Sequence, residues 1–196
     1  DNLLVADSCR AKLNGEELSE NYVVRLNEIL NKKMKAGDVL SAEYPFFVRG
    51  YEGTLSAVAE KSDYLSDISV NGEKIVPTGE WFYDRDFSVY DLSGVYREGK
   101  NILRLCYRIP EDVSAPSESA FENMENKFCE TVSLENILLK GDFSVGGQKR
   151  EKERLGRKYF SVTDEFIGGK KGDEGIFDCP FYRGRILYSG QFVFEE

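Results

Sequence analysis

The chain contains no histidine, and that single absence narrows its chemistry considerably. It excludes a Ser-His-Asp triad and any metal site built on imidazole. The four cysteines, Cys9, Cys106, Cys129 and Cys179, include no Cys-x-x-Cys pair, so a zinc centre lacks its usual ligands. Long apolar runs are missing too. Nothing approaches the roughly 18 uninterrupted apolar residues of a spanning helix, and no membrane role is expected. Basic residues are in deficit: Lys and Arg number 26 against 35 Asp and Glu, a formal net charge of −9. A field of that sign repels phosphate backbones and anionic lipid, so no nucleic-acid partner is expected either, whereas a neutral ligand is indifferent to it. The glycine-rich Gly168-Gly169-Lys170-Lys171-Gly172 lacks the strand, Gly-Lys-Ser/Thr and helix spacing of a phosphate loop. No internal repeat is present, and one domain over residues 1–196 is expected.

What the chain does have is a pattern of short strands. Aromatic residues are plentiful, with 13 Phe and 11 Tyr in 196 residues, enough to fill a packed core. Leu3–Ala6 is a first short strand, followed by the turn signal Asn14-Gly15. Leu18, Tyr22, Leu26, Ile29, Leu30 and Met34 then recur at spacings of three and four, which predicts an amphipathic helix over Leu18–Met34. Lys32, Lys33 and Lys35 suit its C-terminal end, and Gly37 suits its stop. From Val39 the period becomes two. Val39–Val48, Thr54–Ala59, Ile68–Val70, Glu73–Val76, Trp81–Val89, Ile102–Ile109, Leu134–Leu139, Phe143–Val145 and a last segment within Arg185–Glu195 all read as strands. Asn71-Gly72 between two of them is a hairpin signal, because both residues tolerate positive φ. Residues 111–133 and 146–180 read as loop-rich insertions; Ser119 to Glu122 offers a capping box for a short helix. Together these predict a mainly β protein, an antiparallel sandwich or jelly roll with one amphipathic helix near its N-terminus. Cys106 lies within Ile102–Ile109 and reads as a buried free thiol. Reduced cysteines favour a cytoplasmic over a secreted setting.

Ile68 to Leu105 carries a recognisable order of features. Ile68-Ser69-Val70-Asn71-Gly72 is followed by Trp81, Asp84 and Phe87, then by Tyr90-Asp91-Leu92-Ser93. The series closes with Gly99-Lys100-Asn101-Ile102-Leu103-Arg104-Leu105. This combination resembles the galactose-binding-like, sugar-binding jelly-roll domain of glycoside hydrolase family 2. Leu134–Phe143 and Phe181–Tyr188 are similar to segments of related, rhamnosidase-like bacterial enzymes. In such enzymes these sandwiches flank a separate catalytic domain. The resemblance therefore implies a non-catalytic accessory module that supports or extends the active site of a glycoside hydrolase, with the parent enzyme's other domains as partners. A free-standing carbohydrate-binding module and a structural or interaction domain without ligand are the alternatives. No cofactor is expected. Galactose-binding-like folds often hold a structural calcium, for which Asp63–Asp67 has acids, although no acidic-loop motif specifies one.

The matched residues have folding roles of their own: Asn71-Gly72 sets hairpin register, Asp91 and Ser93 turn the chain, and Gly99 and Asn101 admit a tight strand start. Candidate carbohydrate contacts lie elsewhere, at Trp81, Tyr83, Asp84 and Arg85. A sugar ring needs an aromatic face for its C–H side and planar polar groups for its hydroxyls. On one continuous strand Trp81, Tyr83 and Arg85 share a face and Asp84 takes the other. The plainer reading packs Trp81 into or over the core and pairs Asp84 with Arg85 locally. Tyr44, Phe46, Phe47 and Tyr51, around Pro45, form a second aromatic cluster whose plainer reading is likewise core. No catalytic residue is expected. A glycosidase needs two carboxylates facing each other across a cleft, and among 35 acidic residues pairs such as Asp84 with Asp86 or Glu165 arise by chance.

Overall fold

Period-two alternation becomes two sheets in the computed structural model, which describes residues 2–111, 132–147 and 160–164. The chain enters through β1 (Asn2–Ala6) and β2 (Ser8–Leu13), turns at Asn14-Gly15, and returns through β3 (Glu16–Glu17) and β4 (Asn21–Tyr22). In β2 the alternate residues Cys9, Ala11 and Leu13 are buried. Asn14 and Gly15, at φ 51° and 85°, make the left-handed pair that a two-residue hairpin needs.

The helix is shorter than its periodicity predicts. α1 spans Val23–Lys33, because Asn21 and Tyr22 pair with Cys9 and Ser8, and the Leu18 N–H donates to the Ala11 carbonyl at 2.8 Å. Leu18 is still buried, as are Val23, Leu26, Leu30 and Met34. The spacing thus marks one buried stripe that crosses from extended chain into helix. Asn27 clamps this helix to the chain before β12: its side-chain amide donates to the Leu134 carbonyl at 2.8 Å and accepts from the Leu134 N–H at 2.9 Å. Leu134 is consequently extended but outside a strand.

The remaining strands follow as β5 (Val39–Arg49), β6 (Leu55–Glu60), β7 (Leu65–Val70), β8 (Glu73–Lys74), β9 (Pro77–Phe82), β10 (Asp84–Asp91), β11 (Gly99–Arg108), β12 (Ile137–Gly141), β13 (Ser144–Gly147) and β14 (Phe160–Thr163). One sheet has the order β1-β12-β6-β10-β9; the other runs β13-β14-β5-β11-β7-β8, with β2 also on β5. Its spine is the β5–β11 pair, in register from Val39 opposite Arg108 to Val48 opposite Gly99. The free edge of β5 is shared between two strands: β2 takes Leu40–Glu43, and β14 takes Phe47–Arg49. The β14 contact is parallel, the exception to an otherwise antiparallel pattern among the described residues, and it arises inside a segment that reads as loop. Leu4, Leu55, Ala57 and Leu139 from one sheet join Leu40, Tyr44, Leu103 and Leu105 from the other in one buried cluster. This is a β-sandwich. Gly141 sits where a Cβ would lie 2.6 Å from the Thr54 carbonyl oxygen, so close pairing of β12 with β6 requires glycine there.

Asn71 and Asn101, two of the residues that carry the family resemblance, centre one hydrogen-bonded knot. Asn71 and Gly72 adopt φ 53° and 88°, closing the β7–β8 hairpin. The Asn71 side chain donates to the Val95 carbonyl at 3.0 Å and to Asn101 Oδ1 at 2.8 Å, and accepts from the Ile102 N–H at 3.1 Å. Asn101, fully buried, donates to the Arg97 and Gly99 carbonyls at 2.7 and 3.1 Å and accepts from the Arg97 N–H at 2.9 Å. Asp91 Oδ1 accepts the Ser93 N–H at 2.9 Å, and this bond holds its carboxyl below the usual range. The folding roles read from the sequence are the ones these side chains perform. Replacing Asn101 with Ala strands the Arg97 N–H and the Asn71 amide in a buried site. Each stranded group costs about 1–3 kcal/mol, so Asn101→Ala should lower unfolding stability by roughly 2–4 kcal/mol, read as an earlier urea midpoint with unchanged slope.

Candidate functional site

The segment Trp81–Val89 is a hairpin in the structure, not one alternating strand. β9 and β10 meet around Tyr83, a non-glycine residue at φ 69°, with Phe82 opposite Asp84. The next paired positions are Trp81 and Ser88, so Arg85, Asp86 and Phe87 bulge out of register. Such a bulge leaves backbone groups unpaired. Lys61 satisfies two of them: its N–H donates to the Asp86 carbonyl at 2.6 Å, and its Nζ donates to the Arg85 carbonyl.

This geometry decides the fate of the four candidate residues. Trp81 is 56% exposed and Tyr83 91% exposed, so neither packs in the core, which corrects the plainer expectation for Trp81. The physical reason is the edge: β9 is the last strand of its sheet, paired with β10 alone among the described residues, and Tyr83 is the turn residue between them. Asp84 Oδ1 accepts the Asp86 N–H at 3.1 Å and thereby closes the bulge; the local partner of Asp84 is this backbone group. Arg85 presents an exposed side chain beside it. The hairpin therefore gathers two exposed aromatic rings, a carboxylate and a guanidinium within five residues. Phe82, the ring between them, lies 5.8 Å beneath Lys140 Nζ, close enough for a cation–π contact.

The second aromatic cluster divides by strand alternation. Tyr44, Phe46 and Tyr51 are buried. Phe47 faces outward and is half-buried, lining a shallow groove of about 180 Å³ with Arg10, Glu43, Pro45 and Lys100. In the segment Asp63–Asp67, Asp67 belongs to β7, and its carboxylate is 3.1 Å from Lys74 Nζ. No cluster of three or more acidic or thiol side chains placed for a metal occurs among the described residues. Cys9 is buried beside Tyr44, and burial pushes its thiol up to about 12, which makes it unreactive near neutral pH. Cys106 is only half-buried, because Leu103, Leu105 and Tyr107 take the inner face of β11 and leave it on the outer one. Cys129, Cys179, the Ser119–Glu122 capping box, the Gly168–Gly175 loop and the final strand lie outside the described residues.

A cleft that the sequence does not announce opens at one end of the sandwich. Ala59, Leu105 and Ile137 form its apolar floor, while Glu60, Lys61, Ser62, Tyr107, Ser133 and Glu135 supply polar walls around about 160 Å³. Lys61 belongs both to this wall and to the hairpin bulge. Burial raises the Glu60 carboxyl above its ordinary value, and the charges of Glu135 and Asp86 raise it further. Glu60 and Glu135 stand 75 residues apart in the chain, so no local spacing signal connects them.

No protein-family model matches the chain, and no curated protein does. Among solved structures it is similar to the β-D-mannosidase from Dictyoglomus thermophilum, with 14% identity and a TM-score of 0.46 over 76% of this chain. The matched part is 24% of that enzyme, so the chain spans about a quarter of its length. A likeness of that size assigns neither a ligand nor an activity.

The raised Glu60 has a stability consequence. Its ionisation is easier in the unfolded chain, so folding loses stability as pH rises from the unfolded carboxylate range through the raised folded value. Glu60→Gln should therefore raise the melting temperature at neutral pH. At a pH below the carboxylate range the variant and the parent should melt together, a comparison that scanning calorimetry makes directly.

Proposed function

We propose that this chain is a galactose-binding-like jelly-roll module of a carbohydrate-active enzyme, one that supports or extends an active site located in another domain. The observation that carries the reading is the Asn71–Asn101 knot. Asn71 and Asn101, two of the residues through which the sequence resembles the family 2 sugar-binding domain, stand 30 positions apart and meet in one hydrogen-bonded unit. Their joint presence in the sequence thus has a structural reason, which supports reading the resemblance as one of fold. The knot concerns scaffold, and a scaffold role needs no ligand of its own. Incubation of the isolated chain with a panel of aryl glycosides should release no aryl alcohol above the buffer rate. Turnover that a single carboxylate substitution abolishes would overturn this reading.

The exposure of Trp81 and Tyr83 favours a second reading, in which the module itself touches carbohydrate through the β9–β10 hairpin. The two rings offer apolar faces to a pyranose, and Asp84 and Arg85 offer partners to its hydroxyls. Titration of a sugar panel against the fluorescence of Trp81, the only tryptophan, tests it. A binding sugar should produce a saturable change that Tyr83→Ala weakens about tenfold, roughly 1.4 kcal/mol. Absence of a saturable change for every sugar leaves the scaffold role standing alone.

A further inference from the structure

The cleft at the end of the sandwich combines enclosure, negative charge and an unused polar group. Tyr107 lines it and is 4% exposed, and none of the hydrogen bonds among the described residues involves its hydroxyl. The ring is buried and the hydroxyl is left to bond whatever occupies the cleft. The carboxylates of Glu60 and Glu135 share the same wall and repel one another, and Asp86 stands near enough to add to the effect. Lys61 is the basic residue on the wall. Its Nζ donates to the Arg85 carbonyl of the hairpin. An anion entering the cleft would meet two carboxylates, and a neutral ligand would leave their repulsion in place.

We propose that this cleft binds one guanidinium-type organic cation, with Glu60 and Glu135 accepting its N–H donors and the Tyr107 hydroxyl accepting a further one. The planar fork of a guanidinium can serve two carboxylates at once. Its alkyl stem suits the floor of Ala59, Leu105 and Ile137. The cavity, about 160 Å³, has room for a guanidinium with its first carbons. The same chemistry arrives from an arginine side chain on another protein segment or from a free small guanidine. This site is independent of the carbohydrate reading, since none of its donors belongs to Trp81 or Tyr83.

Amide chemical shifts of the full chain, followed during titration with methylguanidinium, test the proposal. Saturable shifts are expected at Glu60, Ser62, Ser133 and Glu135, with affinity in the millimolar range. Methylurea, a neutral molecule of the same shape, and sodium chloride at equal ionic strength should not reproduce them. Glu135→Gln should weaken binding about tenfold and Tyr107→Phe about threefold, in variants whose remaining spectrum is unchanged. Tighter binding of N-acetylarginine methylamide than of methylguanidinium assigns the site to a protein segment, and weaker binding assigns it to a free guanidine. Absence of saturable shifts, equal shifts with methylurea, or unchanged affinity in Glu135→Gln would overturn the proposal.

Discussion

The side-chain pair Asn71–Asn101, joined at 2.8 Å, is the constraint on which the arrangement of the sheet depends. It holds the β7–β8 turn against the start of β11, the central strand, at the point where the chain arrives from the Val95–Gly99 loop. Both side chains hydrogen-bond backbone as well as each other, so a shift of β7 along β11 would unmake several bonds together. A one-residue slip of β7 would also carry its buried Ile68 and Val70 off the core face. Polar groups thereby set the register that the apolar core then rewards.

The same sheet geometry explains why chemistry-bearing groups lie at the ends of the sandwich. In mid-sheet, each strand has neighbours that consume its hydrogen bonds and cover one face. At the β9–β10 tip the register breaks, three residues of β10 bulge, and the aromatic rings of the edge strand and its turn stand in solvent. Lys61 repairs the backbone there and simultaneously forms one wall of the cleft between the sheets.

Much of the fold is legible in the chain because the signals are local. Asn14-Gly15 and Asn71-Gly72 mark turns whose φ angles only a few residue types tolerate, and both are turns. Val39–Val48 and Ile102–Ile109 alternate clearly and become the two longest paired strands. Where a signal is shared between conformations, the sequence is less decisive. Leu18 and Tyr22 fit a helical period, but pairing with β2 competes for the same backbone and prevails. The alternation of Trp81–Val89 does not reveal that Tyr83 adopts positive φ, which folds the segment back on itself. Ser8–Leu13 is a strand of small and charged residues without a strong β signal, and it is ordered by the edge of β5.

Trp81, Tyr83, Asp84 and Arg85 are close in the chain, and residue type alone made them candidates. The exposure of Trp81 and Tyr83 follows from the edge position of β9 and the turn at Tyr83. Glu60, Tyr107 and Glu135 carry no mutual spacing and were invisible as a group, because only the stacking of one sheet on the other brings them to a common wall. The sequence by itself determined the sandwich class, the turn positions and the exclusion of histidine chemistry, since these follow from residue type and short-range period. Tertiary structure alone decided which aromatics face solvent, which carboxylates repel, and which hydroxyl opens onto the cleft. Those are properties of distances between residues that covalent order does not constrain.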